Sequence, residues 1–257
     1  MHEQERWQTI LHLVHERSVI SARELADITR ASAATLRRDL TKLAERGLVR
    51  RVHGGVQAVG PQAAAKLETA SFTVSQALFA ERKRAIARQA VALCRDGESI
   101  IINGGSTTFH MVEFLRASRL QILTNSFSIA EALVRQSDNR IILPGGEVYR
   151  DQNIILSPFD EDSIQHYTAS KMFMSAMSIG PLGLVEGDPL IARAEAKLLS
   201  RAADLIVVAD SSKFEPRGSM AVAPLTRIKR LITDDGAPPY ALDMLREAGV
   251  EVEVVTA

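Results

Sequence analysis

Between Ser32 and Gly55 the apolar residues change period, and that change limits what the chain can fold into. Ala33, Leu36, Leu40 and Leu43 recur at helical spacing, so one face of a helix is apolar while Arg37, Arg38 and Lys42 point elsewhere. Gly47 predicts the helix stop, as a glycine in a left-handed conformation would provide it. Leu48-Val49-Arg50-Arg51-Val52 is short and β-prone, and Gly54-Gly55 supplies a turn. Upstream, Trp7, Ile10, Leu11, Leu13 and Val14 fall on roughly one helical face between Glu3 and Arg17. Ser21 precedes Glu24 at capping-box spacing and opens a second short helix through Leu25, Ala26 and Ile28. Ser32 opens the third. Three short helices followed by a basic hairpin predict a winged helix-turn-helix over residues 1–57.

Charge agrees with that reading. The chain is neutral overall, 31 basic against 31 acidic residues, but residues 1–57 hold 10 basic and 7 acidic ones. Seven of the basic residues lie between Arg30 and Arg51, where only Asp39 and Glu45 oppose them. A local excess of this kind attracts a phosphate backbone. An α-helix fits the major groove of B-DNA and reaches base edges from its N-terminal half. Ser32, Thr35, Arg37, Arg38 and Lys42 on the third helix are therefore the candidate DNA-binding residues, with Ser32 also able to cap it. Arg50, Arg51 and His53 on the hairpin are placed to meet phosphates or the adjacent minor groove.

These residues carry a family resemblance. SAATLRRDLTKLAERGLVRRVHGG resembles the N-terminal signature of the DeoR family of bacterial transcriptional regulators, with its Thr-hydrophobe-Arg-Arg-Asp-Leu core and a hairpin ending in His-Gly-Gly. Ala33-Ala34 departs from the bulkier or acidic residues common there, which bears on sequence preference and not on fold.

Residues 58–70 contain Gly60, Pro61 and an alanine run without apolar periodicity, and are read as a linker in which Ala63–Leu67 could begin a helix. From residue 71 to 257 helix-like and strand-like segments alternate. Strands are expected at Ser99–Ile102, Gln121–Thr124, Arg140–Leu143, Met172–Ser175, Leu205–Ala209, Lys229–Thr233 and Val250–Val255, with helices near 80–93, 126–136, 190–202 and 239–248. Apolar, double-sided strands in that alternation predict an α/β domain with a mostly parallel sheet. The resemblance implies that this domain senses a phosphorylated sugar, mediates oligomerisation, and is similar to ribose-phosphate isomerases and CoA transferases.

Four strand ends could line one crevice. Asn103-Gly104-Gly105-Ser106-Thr107-Thr108 follows a strand and opens a helix, where glycines allow close approach and free amides favour an anion. Thr124-Asn125-Ser126, Pro144-Gly145-Gly146-Glu147 and Asp210-Ser211-Ser212-Lys213 end three more strands, the last pairing an acceptor for hydroxyls with a cation. Each also has a structural reading, as a helix cap, a bare turn or a surface ion pair. The family's effector pocket is built from matching segments, so the resemblance implies effector binding at Asn103, Gly104, Gly105, Ser106, Thr107, Thr108, Asn125, Gly145, Gly146, Asp210 and Lys213. Glu195 joins them, although a helix-surface pair with Lys197 competes. SIIINGGSTTF, IILSP and LIVVADSSKF look most similar to the L-ascorbate-phosphate-responsive repressors of the family, and Asn103 stands where many relatives have aspartate.

Composition sets the remaining bounds. No stretch approaches the roughly 18 apolar residues of a membrane span, and MHEQERWQTI has no basic region followed by an apolar core, so a cytoplasmic protein is expected. The single cysteine, Cys94, excludes a disulfide framework and is read as a small core residue. His110 and His166 lack ligand partners at useful spacing, so neither metal nor cofactor is expected beyond the effector. The expected partners are operator DNA, a phosphorylated sugar and further copies of the chain in a homodimer or homotetramer. The expected function is repression of a carbohydrate or polyol operon, without catalysis. Two alternatives stay open: a sugar-phosphate isomerase or CoA-transferase-like enzyme using Asp210 or Glu195, and a DNA-binding protein whose second domain only oligomerises.

Overall fold

The computed structural model describes residues 6–7, 9–11, 13–14, 19–45, 48–52, 54–58, 72–150, 152–157, 159 and 162–256. Gly47, His53 and the greater part of the expected linker lie outside the described residues. The chain divides into two compact units, Met1–Leu78 and Phe79–Ala257.

In the first unit, helix α1 covers described residues 6–7, 9–11 and 13–14. Strand β1 (Val19–Ser21), helices α2 (Ala22–Thr29) and α3 (Ala33–Glu45), strands β2 (Val49–Val52) and β3 (Gly55–Ala58) and helix α4 (Phe72–Ala77) follow. Ser21 caps α2 by accepting the Glu24 amide at 3.2 Å. Arg30 ends that helix in a left-handed conformation, φ 49°, which leaves the chain free to turn into α3. Of the predicted apolar faces, Ile10, Leu13, Val14, Leu25, Leu36, Leu40 and Leu43 are buried together with Val49 and Val56, whereas Ala33 is exposed. The hairpin β2–β3 gains an antiparallel partner that the sequence reading lacks, giving the sheet order β1-β3-β2. Three residues are too few for a periodic signal, so β1 is invisible before Ile20 is seen buried. Gly55 is required by that third strand, since a Cβ there would meet the Ile20 carbonyl oxygen at 2.2 Å.

The second unit contains, in chain order, helix α5 (Ala80–Val91), strand β4 (Ser99–Ile102), helix α6 (Ser106–Phe109), strand β5 (Gln121–Thr124), helix α7 (Phe127–Gln136) and strand β6 (Arg140–Ile142). Strands β7 (Glu147–Tyr149), β8 (Ile154–Leu156), β9 (Ala169–Met174), β10 (Ser178–Gly180) and β11 (Gly183–Glu186) come next, then helix α8 (Pro189–Leu199). Strands β12 (Ala202–Val208), β13 (Met220–Ala223) and β14 (Ile228–Asp234), helix α9 (Pro239–Glu247) and strand β15 (Glu251–Val255) complete it. Seven of these strands form one sheet in the order β15-β14-β12-β9-β4-β5-β6. Every neighbouring pair in it is parallel.

Side-chain alternation explains why the strands read as continuous apolar runs. Ile101, Leu123, Met172, Met174, Leu205, Val207 and Leu231 belong to the core on one face. Ile100, Ile102, Ile122, Phe173, Ile206, Val208 and Ile232 belong to the core on the other. Both faces must be apolar because both carry a core.

Two small antiparallel additions are absent from the sequence reading: the hairpin β7–β8 and the sheet β10-β11-β13. Their strands of three or four residues carry too few alternations to register. The order of the large sheet also fixes where a ligand can sit. From β4 the chain runs outward to β5 and β6, then crosses back to β9 on the other side of β4 and continues to β12, β14 and β15. The direction reverses between β4 and β9, and open parallel sheets bind ligands beyond the strand ends at such a point.

Candidate nucleic-acid interface and ligand crevice

On α3 the exposed and buried positions separate as a reading helix requires. Arg37 and Arg38 are exposed, whereas Leu36, Asp39, Leu40 and Leu43 are buried. Ser32 Oγ accepts the Thr35 amide at 3.2 Å and lies 2.9 Å from Thr35 Oγ1, so both residues organise the helix start. Arg50 and Arg51 are exposed on β2; Arg50 donates to Gln57 Oε1 at 2.9 Å and Arg51 to Thr41 Oγ1 at 3.3 Å. Lys42 differs from its neighbours because its ammonium lies 5.6 Å from the Trp7 ring centre. His53 lies outside the described residues.

The residue that the sequence reading missed here is Asp39. It is 1% exposed and accepts from Arg6 Nε at 2.7 Å and from the Trp7 indole at 2.9 Å. Burial alone would push its carboxyl up. The Arg6 and Trp7 hydrogen bonds, with the Arg6 and Lys42 charges, hold it below the ordinary range instead. Asp39 ties α1 to the back of α3 and is no surface charge.

In the second unit, Asn103 ends β4 at the reversal point with no exposed surface. Its Oδ1 accepts the Ser175 amide at 2.9 Å; its Nδ2 donates to the Ser175 carbonyl at 3.2 Å and to Glu195 Oε1 at 2.9 Å. All of its side-chain polar atoms are engaged by protein, so Asn103 positions its neighbours. Glu195 on α8 is 4% exposed, which overturns the helix-surface reading; Lys197 pairs with Asp162 at 2.6 Å. Burial and the nearby Glu186 push the Glu195 carboxyl well above the usual range, against the Asn103 hydrogen bond. Burial raises Glu186 as well.

The glycine turn is built differently from expectation. A Cβ at Gly104 would meet Ile154 Cγ2 at 2.2 Å, and one at Gly105 would meet Ser175 Cβ at 2.4 Å. The close approach these glycines permit is to the protein's own side chains. Ser106, Thr107 and Thr108 are buried; Thr108 donates within the turn, to Asn103 and Gly105 carbonyls at 2.9 Å, while Thr107 Oγ1 has no hydrogen-bond partner. Asn125, also buried, accepts the Gly104 amide at 2.8 Å. Gly145 and Gly146 are exposed, and Gly146 with φ 151° lies where a Cβ would meet the Leu156 carbonyl oxygen at 2.3 Å. Gly146 is therefore needed for close packing on the end of β8, whereas Gly145 stands in open space.

Beside the turn stands an ionic cluster. Asp210 is fully buried, and its Oδ2 lies 3.8 Å from the Nζ of Lys83, itself 2% exposed. Asp210 Oδ1 accepts from the Ser212 amide at 3.1 Å and the Ser212 hydroxyl at 2.5 Å. Burial would raise the Asp210 carboxyl, but the Lys83 and Lys213 charges and the Ser212 bonds hold it low. Lys213 also acts on Glu186 and so stands within electrostatic reach of both acidic groups. Arg82 donates to Ser211 at 3.0 Å and pairs with Asp234 at 3.5 Å. Lys83, Arg82, Asp234 and Glu186 were missed from sequence, because nothing in their local spacing marks them. Cys94 packs against the core, with its thiol pushed up to about 12 by burial.

Comparison with known proteins matches both units. Residues 6–62 match the DeoR-like helix-turn-helix domain, and residues 78–235 match the DeoR C terminal sensor domain. The HTH-type transcriptional regulator UlaR of Shigella sonnei (strain Ss046) is 34% identical over 253 residues, covering 98% of this chain and 99% of its own. The UlaR of Escherichia coli O1:K1 / APEC is 33% identical over the same length and coverage. Among solved structures, the sorbitol operon regulator SorC from Klebsiella pneumoniae aligns over 88% of this chain and 94% of its own, with a TM-score of 0.42 and 12% identity. Ribose 5-phosphate isomerase A from Methanocaldococcus jannaschii aligns over 51% of this chain and 53% of its own, with a TM-score of 0.38 and 18% identity. Among the described residues no helix is long and apolar enough to cross a membrane. The two UlaR relatives, which align over 98% of this chain, are named transcriptional regulators, which sets the enzyme reading aside. The chain belongs to the DeoR family of transcriptional regulators.

Proposed function

We propose that the protein is a cytoplasmic repressor of a carbohydrate or polyol operon and that a phosphorylated sugar relieves repression. The observation that carries the DNA half is the exposed Arg37-Arg38 pair near the capped start of α3, backed by a buried apolar face. Arginine reads guanine edges by two hydrogen bonds, and each good contact discriminates by about 1–3 kcal/mol. Ser32 and Thr35 stand at the same helix end, and Arg50 and Arg51 supply phosphate contacts from β2. Helix-turn-helix proteins usually bind two half-sites, so a homodimer or homotetramer follows.

The effector half rests on the ends of β4 and β9, where the strand order reverses. Lys83, Lys213 and Arg82 gather positive charge beside Asp210 and Asp234. A phosphate would sit at that cationic end, with the sugar extending past Thr107 and Asp210 toward Glu195. A ligand of this kind shifts the protein between two states only through unequal affinity for them. The test is fluorescence anisotropy on labelled DNA from upstream of the gene, at fixed salt. The titrants are sugar and polyol phosphates, including an L-ascorbate phosphate, and their unphosphorylated parents. One phosphate that alone releases DNA bears the proposal out. Tight DNA binding indifferent to the whole panel would instead favour a second unit that only oligomerises.

A further inference from the structure

The side of α3 that faces away from the core carries a residue to which the DNA reading gives no task. At 3.6 residues per turn, Leu36, Asp39, Leu40 and Leu43 fall together on one side of the helix, and all four are buried. Ala34, Arg38 and Thr41 fall on the opposite side, within about 60° of one another, with Arg37 at its margin. Ala34, Arg37 and Arg38 are exposed. The hairpin holds the other end of this stripe: Thr41 Oγ1 donates to the Arg37 carbonyl at 2.9 Å and accepts from Arg51 of β2 at 3.3 Å. One continuous surface therefore runs from Arg51 through Arg38 to Ala34. Ala33 is also exposed, but it stands about 70° from the centre of the buried side and so on the flank of the helix.

The members of this surface are charged or hydrogen-bonded except Ala34, whose side chain is a single methyl. A methyl turned to the major groove has one complementary group there, the thymine C5-methyl; the other bases present hydrogen-bond donors and acceptors. Small size matters as well. The N-terminal part of a reading helix comes nearest the base edges. A long side chain at position 34 would hold the helix off the groove floor, and an acidic one would oppose the phosphates. Ala34 and Arg38 are about 6 Å apart along the helix axis, and successive bases are about 3.4 Å apart, so the two address positions about two base pairs from each other.

We propose that Ala34 is a specificity-determining residue of the DNA-binding unit, its methyl packing on the C5-methyl of a thymine about two base pairs from the guanine read by Arg38. The proposal rests on the base-reading role given above to Arg37 and Arg38, and adds an apolar contact to it. A cytosine in the same place offers an amino donor that Ala34 cannot accept, so the site rejects it.

The test uses the full chain at fixed salt. Duplexes with a randomised centre are selected for binding, and anisotropy is then measured on the selected site with each thymine replaced in turn by deoxyuridine, which removes the methyl alone. One thymine per half-site, about two base pairs from a guanine, is expected to matter, its loss weakening the native chain about fourfold. Ala34→Gly is expected to bind the thymine and deoxyuridine duplexes equally. Ala34→Glu is expected to lose the same discrimination and to select cytosine at that position, whose amino group a carboxylate accepts. Each ratio compares two duplexes on one protein, so a smaller folded fraction in a variant cancels. An exposed alanine that serves the helix alone, as the best helix former, predicts no thymine whose methyl matters. That result overturns the proposal, as does a methyl discrimination that persists unchanged in Ala34→Gly. Selection that recovers no preferred sequence removes the base-reading role of Arg37 and Arg38 itself.

Discussion

Asp39→Asn keeps the shape of the side chain and removes its charge, which isolates what the carboxylate does for the first unit. Asp39 is 1% exposed and takes two donors, Arg6 Nε at 2.7 Å and the Trp7 indole at 2.9 Å. Breaking a buried ion pair costs about 3–5 kcal/mol when the surviving charge is trapped. Two facts lower that figure here: the Arg6 side chain keeps 12% exposure, so water partly rescues it, and the amide still offers one acceptor oxygen. The expected loss is about 2–3 kcal/mol, most of it from turning an N–H₂ toward a donor. For a unit of this size that lowers the melting temperature by about 10–20 °C. Trp7 is the sole tryptophan, so its emission during urea unfolding reports this unit alone. The sign with pH follows from the carboxyl being held low in the folded state. Native stability from Asp39 is complete above its unfolded value of about 3.9 and is lost as pH falls toward the folded one. Asp39→Asn should abolish that part of the acid sensitivity. A variant within about 0.5 kcal/mol of native, the range of an ordinary surface change, would refute the anchoring role.

Replacing Arg37 and Arg38 together by alanine should cost at least about 1–3 kcal/mol per lost base contact and flatten operator selectivity, with unchanged Trp7 unfolding; retained operator affinity in anisotropy would contradict their placement. Asn103→Asp turns an amide donor into a carboxylate 2.9 Å from Glu195 and opposite the Ser175 carbonyl. A calorimetric loss of about 2 kcal/mol or more is expected, shrinking as pH falls and the new carboxyl protonates, and no loss at neutral pH would argue against the network. Lys83→Met strips the buried cation from Asp210 and should destabilise the second unit by about 3 kcal/mol or more. A melting temperature unchanged by that substitution would mean the pair is better hydrated than its burial indicates.

Much of the fold was legible because its determinants are local. The Ser21 and Ser32 caps act three residues on, as does Ser126 on Ile129. Strands β4 and β5 fall on the residues expected, and the helices after Phe79, Ser126 and Pro238 end within two residues of expectation. The accessory strands were lost for want of length. Thr107, Asp210 and Lys213 were expected near a ligand from strand-end position and from the family resemblance, but neither signal shows that Asn103 and Gly104 are engaged by the protein's own groups.

What the sequence by itself determined is therefore whatever period and near-neighbour spacing encode: a winged helix-turn-helix with outward arginines, and an α/β unit whose strands must be buried on both faces. The tertiary structure alone decided which distant residues share a charge environment. Arg6 and Asp39 are 33 positions apart, and Asn103 and Glu195 are 92 apart. Glu195 and Lys197 look like one surface pair in sequence, yet two residues on a helix point about 200° apart, and the fold buries one and sends the other to Asp162. Charge state follows burial and neighbours, and the strand order that sets both is fixed by crossovers that no local pattern records.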